Sequence, residues 1–125
     1  MADEFPKDVK EFINQHVHSL AQLEVLLMLH REPGRSWTAE QITSSLYLQR
    51  QMVEDLLADL VGRGFAAERN ATFSYKSAGD VVHGLIERLA KLYQERRVTV
   101  ISEIFAKPAD SARAFAEAFR LRGKE

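Results

Sequence analysis

Residues 38–65 read TAEQITSSLYLQRQMVEDLLADLVGRGF. Thr38 stands three residues before Gln41, the pairing of a capping box, and so opens a helix. Ile42 and Leu46 give that helix its inward face. Tyr47 and Leu48 make a short link to a second helix over about residues 50–63, whose wide apolar stripe is Val53, Leu56, Leu57, Leu60 and Val61. Gly64 stands where a helix end needs a left-handed residue. Two amphipathic helices with a tight link decide the architecture, and the flanking segments are read against them.

Past Gly64 the period changes. Phe65 and Ala67 alternate with Ala66 and Glu68, Arg69-Asn70 makes a polar tip, and Phe73 and Tyr75 alternate with Thr72, Ser74 and Lys76. This is a hairpin pattern, although Asn70-Ala71 is weaker turn chemistry than Asn-Gly. Upstream, Ser19 and Gln22 form a second capping-box pair before the apolar block of Leu20, Leu23, Leu26, Leu27 and Met28. Pro33-Gly34 ends that helix near Arg31. An amphipathic helix over about residues 6–16 precedes it, carrying Val9, Phe12 and Ile13. Trp37 falls where a short strand would run beside the hairpin.

Downstream, residues 80–106 contain no proline and no glycine after Gly84. Val82, Leu85, Ile86, Leu89, Leu92 and Tyr93 recur at helical spacing, and Val100, Ile101, Ile104 and Phe105 resume it. One continuous helix of that length spans about 40 Å, more than a small domain is wide, so part of it is expected to project. Pro108 stops it, and a tail helix over 109–122 carries Phe115 and Phe119.

The chain of 125 residues is 46% hydrophobic and 28% charged, the balance of one globular domain. It divides into an N-terminal helix (1–18), a core (19–79) and C-terminal helices (80–125). The expected class is mostly α with a small β-hairpin wing. No apolar run reaches the length of a membrane span, and the start MADEFPKDVKEF is not a signal peptide, so a cytoplasmic protein with no membrane partner is expected. The absence of cysteine excludes disulfides, thiol catalysis and cysteine-ligated metals. Net charge is −1, whereas a non-specific nucleic-acid binder is usually strongly basic. The charge runs unevenly along the chain, −2 over 1–18, −1 over 19–78 and +2 over 79–125.

The order of helix, helix, turn, helix, hairpin and long helix resembles the winged helix-turn-helix domain of small bacterial regulators such as the MarR and PadR families. The resemblance covers about residues 19–79 and is carried by Ile42-x3-Leu46-x-Leu48, Val53-x3-Leu57-x2-Leu60-x3-Gly64-Phe65 and Phe73-Ser74-Tyr75-Lys76-Ser77-Ala78-Gly79. It implies a transcriptional regulator whose helix at 50–63 enters the major groove of duplex DNA while the wing touches the backbone. By position the DNA-facing residues are Gln49, Arg50, Gln51, Glu54 and Asp55 on the helix, Arg69 and Asn70 at the wing tip, and Lys76 on the second wing strand. The departure is acidic: Glu54 and Asp55 occupy places where basic or small polar residues are usual, and Asp59 is expected on the same side. That favours an alternative, a winged helix that binds another regulatory protein. A purely structural helical subunit is a third reading.

The long helix also resembles the dimerisation helix of PadR-like proteins. A homodimer is therefore expected through Leu85, Leu89, Leu92, Tyr93, Val100, Ile104 and Phe105, with Phe115 and Phe119 of the tail. Arg96-Arg97 interrupts that apolar stripe, as a solvated patch or as a pair that selects a partner helix. A pocket between the long helix and the core is where an apolar effector would sit.

Catalytic motifs are missing: there is no G-x-S-x-G, S-x-x-K, Gly-rich phosphate loop or H-E-x-x-H, and no enzyme and no cofactor are expected. His16 and His18 lie two apart on a helix and so point to different faces, which makes a boundary pair rather than a metal site even with Glu11 and Glu24 nearby. His30 and His83 read as isolated helix-surface residues, and no metal is expected.

Overall fold

The computed structural model describes residues 5–106. Six helices and three short strands follow in order: α1 (Lys7–His16), α2 (Leu20–Arg31), β1 (Trp37–Thr38), α3 (Ala39–Leu46), α4 (Arg50–Arg63), β2 (Ala66–Arg69), β3 (Thr72–Tyr75), α5 (Asp80–Glu95) and α6 (Arg97–Phe105). The molecule is mostly helical with one antiparallel sheet in the order β1-β3-β2. No helix of the described residues is long and apolar enough to cross a membrane.

The local signals act where the residues place them. Thr38 accepts from the Gln41 backbone N–H at 3.1 Å, and the Gln41 side chain returns the bond to the Thr38 N–H at 3.0 Å, a complete capping box. Gly64 ends α4 with φ +86°. The hairpin turns on Asn70 and Ala71, both at positive φ (53° and 63°), as a two-residue hairpin loop requires. Trp37 pairs with Phe73, which places β1 on the outer edge of the hairpin. Phe65 and Ala66 are both buried while the rest of β2 is exposed and β3 is half-buried throughout, so the expected alternation does not appear in the burial.

The core gathers Val9, Phe12 and Ile13 from α1, Leu23, Leu26 and Leu29 from α2, Ile42 from α3, and Val53, Leu57 and Leu60 from α4. Ile86 and Leu89 of α5 and Val100 and Ile104 of α6 complete it. The stripe on α4 is therefore inward, with Val53, Leu57 and Leu60 fully buried.

The C-terminal helix is not continuous. It breaks at Arg96, which adopts φ −136° and ψ 58° between α5 and α6. The break needs neither glycine nor proline, because its polar groups are kept satisfied. The Arg96 N–H donates to the Leu92 carbonyl at 2.6 Å, and the Arg96 carbonyl accepts from the Val100 N–H at 3.1 Å. Arg97 then lies over the Tyr93 ring at 4.7 Å and reaches Glu24 at 3.2 Å. The turn lets α6 fold back on α1 and α5 and bury Val100 and Ile104. Burying an aliphatic side chain contributes about 1.5–3 kcal/mol, more than the loss of one helical residue costs. The expected projection of about 40 Å is thus corrected: Leu89, Val100 and Ile104 belong to the core of their own chain, while Leu85, Leu92 and Tyr93 are half-buried and Phe105 is exposed. The tail helix with Phe115 and Phe119 lies outside the described residues.

The second capping pair also departs from expectation. Ser19 accepts from the Gln22 N–H at 3.0 Å, but the Gln22 side chain does not return to Ser19. Its Oε1 accepts from the His18 N–H at 2.7 Å, and its Nε2 donates to the His16 carbonyl at 2.7 Å and to Asp59 Oδ2 at 2.9 Å. Asp59 also accepts from Arg63 Nε at 2.8 Å, and Arg63 Nη1 lies 3.0 Å from His16 Nδ1. Gln22 is 3% exposed and is the only buried polar side chain among the described residues. Through it the end of α1, the start of α2 and the last turn of α4 are held together. Asp59, one turn beyond Asp55 on α4, is half-buried, with its carboxylate engaged by Gln22 and Arg63.

Leu57→Ala is expected to cost about 2–5 kcal/mol in urea unfolding, because a fully buried methyl-bearing side chain leaves a cavity at the centre of the core. A second expectation concerns pH. Burial first, and then the Arg63 guanidinium, push the pKa of His16 below its ordinary 6.5, against the opposing pull of Asp59. Burial likewise lowers that of His30, with His83 adding to the effect and Glu87 opposing it. A folded state that binds fewer protons than the unfolded one is favoured above the unfolded pKa and weakened as pH falls through it. The urea midpoint should therefore drop between about pH 7 and pH 5, and His16→Gln should flatten that slope. An unchanged slope in the variant would contradict the assignment.

Candidate functional site

Two surfaces gather exposed polar and charged side chains, the outer face of α4 with the hairpin and a cleft between α2 and α5. On the first, the inward placement of Val53, Leu57 and Leu60 turns the opposite side of α4 to solvent, and Gln49, Arg50, Gln51, Glu54 and Asp55 are all exposed. Arg69, Asn70 and Lys76 of the hairpin are exposed as well. β2 packs on α4, which puts the hairpin alongside that helix.

The residues of this face partner one another. Arg50 Nε lies 3.1 Å from Glu54 Oε2, and Gln51 Nε2 donates to Asp55 Oδ1 at 3.0 Å, each spanning one helical turn. Exposed pairs of this kind contribute about 0–1 kcal/mol, so both can be exchanged for another ligand at little cost. The exposed charged residues of α4 and the hairpin include Arg50, Arg69 and Lys76 and also Glu54, Asp55 and Glu68, so both signs are present. Tyr47 stands at its edge, 91% exposed and in the left-handed conformation that ends α3. An exposed aromatic in a link has no periodic signature, so nothing in the sequence marks Tyr47 as part of this face.

The second surface is an open cleft of about 870 Å³ between α2 and α5, lined among others by Glu24, His30, Arg31, His83, Glu87 and Arg97. It lies between the long C-terminal helix and the core, where the sequence places an effector pocket, and its wall mixes apolar side chains such as Leu27, Leu46 and Ala90 with charged ones. His30, from the last turn of α2, and His83, from the first turns of α5, face each other with ring centroids 5.8 Å apart, and are not isolated as the sequence suggests. Glu87, one turn beyond His83, lies 3.2 Å from His83 Nε2 and 3.9 Å from His30 Nε2. The Tyr75 hydroxyl of β3 lies 2.7 Å from His83 Nδ1, and the Tyr75 ring meets His30 edge-on at 5.1 Å. Burial raises the pKa of that hydroxyl above its ordinary 10, with Glu87 adding to the effect, so it stays protonated. His16 and His18 do not join this cluster; His16 packs on Phe12 and Phe65 instead.

No family model matches the chain, and no curated protein matches it. A solved structure similar to it is the apo form of the S-adenosylmethionine-dependent methyltransferase SibL, at 21% identity and a TM-score of 0.48. The match covers 82% of this chain and 30% of that one, so the chain spans less than a third of the length of that enzyme.

Proposed function

We propose that the chain is a winged helix-turn-helix regulator that binds duplex DNA through α4 and the β2–β3 hairpin. The observation that carries this reading is the order α2-β1-α3-α4-β2-β3 with the sheet in the order β1-β3-β2, in which α4 buries one stripe and leaves its whole opposite face open. Such a helix fits a major groove, and a flanking hairpin fits the adjoining backbone. Arg50 suits guanine and Gln51 suits adenine, while Arg69, Asn70 and Lys76 suit phosphates. The Asp59 carboxylate is engaged by Gln22 and paired with Arg63, which offsets the charge of one acid of α4. The proposal includes a cytoplasmic location and a homodimer formed by what α5 and α6 leave uncovered, chiefly Phe105, Leu85, Leu92 and Tyr93, with Phe115 and Phe119. It gives the chain no catalytic role.

A specific observation favours a second reading, in which the same face docks on another regulatory protein. Tyr47 and Met52 are exposed large hydrophobic side chains beside Glu54 and Asp55, and aromatic residues on a face with both signs of charge suit a protein surface.

Titration of the full chain with duplex DNA at several salt concentrations separates the two. For a DNA reader, Arg50→Ala weakens binding by about 1–3 kcal/mol with relaxed specificity at one base pair. Arg69→Ala weakens binding to every sequence and lowers the salt slope by about one unit. The double variant Glu54→Gln/Asp55→Asn binds random duplex more tightly, and light scattering of the same samples gives a dimer. No binding at low salt by either the wild type or the neutralised double variant contradicts the DNA reading. A monomer at tens of micromolar, a concentration of ordinary in-vitro assembly, contradicts the dimer.

A further inference from the structure

The polar cluster in the α2–α5 cleft lies away from α4 and has chemistry of its own. Three side chains of metal-ligating type converge there from two helices: His30 from α2, and His83 and Glu87 one turn apart on one face of α5. One ligand atom from each lies within 4.8 Å of the other two. Ligands about 2.0–2.2 Å from a tetrahedral ion are about 3.4 Å from each other. The His83–Glu87 pair at 3.2 Å already has that spacing, and His30 at 3.9 Å from Glu87 is within a small rotation of it. Glu87 keeps a 59% exposed side chain and is free to make that adjustment.

The surroundings suit a metal ion as well. Tyr75 occupies His83 Nδ1, which leaves Nε2 directed at Glu87. Metal-bound imidazoles characteristically have their second nitrogen held in this way by a neighbouring polar group. Tyr75 comes from β3, so α2, α5 and the sheet all contribute to the arrangement. Two imidazoles and one carboxylate fill three positions of a tetrahedral ion and leave the fourth open to the cleft.

We propose that His30, His83 and Glu87 bind one divalent first-row transition-metal ion of the zinc type, with Tyr75 as the residue that orients His83 and an open position facing the cleft. The site is independent of the reading of α4, and holds whether that helix meets DNA or protein. A bound ion would tie the last turn of α2 to the first turns of α5, and so raise the stability of the folded chain by mass action.

The test uses the full chain stripped with chelator and titrated with Zn²⁺ against a chromogenic competitor, with Co²⁺ as a spectroscopic substitute. The wild type is expected to take up one equivalent, to show the visible absorption of a low-coordinate Co²⁺ site, and to melt at a higher temperature with Zn²⁺. Glu87→Gln, an isosteric change at an exposed position, should weaken Zn²⁺ binding at least tenfold and abolish the Co²⁺ spectrum while leaving the metal-free melting temperature nearly unchanged. His30→Ala should do the same to binding. Tyr75→Phe should weaken it by about 10–100-fold with the Co²⁺ site still formed, as loss of an outer partner does. His16→Ala/His18→Ala should leave binding intact. Absence of uptake by the wild type, or uptake that Glu87→Gln and His30→Ala leave unchanged, overturns the proposal.

Discussion

The arrangement of this protein depends on one buried amide. Gln22 donates to the His16 carbonyl and to Asp59, and accepts from the His18 N–H. Those bonds close the gap between α1 and α2 and fasten both to the end of α4. The His16 carbonyl ends α1 and the His18 N–H lies in the link to α2, and Gln22 gives both a hydrogen-bond partner. Hydrophobic packing alone fixes α4 by a stripe that tolerates small rotations about its axis. The bond from Gln22 to Asp59, braced by Arg63, gives that rotation a single value. The orientation of α4 decides which of its residues meet solvent, so the composition of the outer face depends on how the helix is held.

A second constraint acts at the other end. The break at Arg96 brings α6 back across α1, where Val100 and Ile104 enter the core, and Lys10 and Glu103 approach to 4.0 Å between the two helices. The same turn sets Arg97 over Tyr93 and against Glu24, at one end of the cleft that holds His30, His83 and Glu87. The Tyr93 hydroxyl donates to Glu24 at 2.9 Å, and Arg88 pairs with Asp8 of α1 at 2.5 Å. α5 is thereby anchored on both sides, and its first turns stay aligned with the last turn of α2. The cleft is a product of that alignment.

Much of this was legible in the sequence because the signals are local. The Thr38–Gln41 capping box, the stripe of α4, the left-handed Gly64 and the hairpin tip at Asn70-Ala71 each depend on residues within one or two turns. What escaped depends on contacts between distant parts of the chain. Nothing in Glu95-Arg96-Arg97 marks a helix end; the break is driven by the burial of Val100 and Ile104 against α1, far upstream. Gln22 has the pattern of a cap, and its true partner Asp59 lies 37 residues away. His83 and Glu87 share a helix face by their spacing, but His30 joins them only through the tertiary fold, in which α2 packs on β3 and brings His30 beside Tyr75 and His83. The polar face of α4 was readable by position, whereas the exposure of Tyr47 followed no periodic pattern.

The claim that the Gln22–Asp59 contact sets the orientation of α4 is tested most directly by a double-mutant cycle on the two residues. Gln22→Leu, Asp59→Leu and the double variant are unfolded in urea beside the wild type. A direct contact within one network predicts a coupling of about 0.5–3 kcal/mol, each single change removing the bond between the two groups and the double change costing less than the two together. Strictly additive losses, with a coupling of zero, would show that α4 is oriented by its apolar stripe alone and would contradict the account.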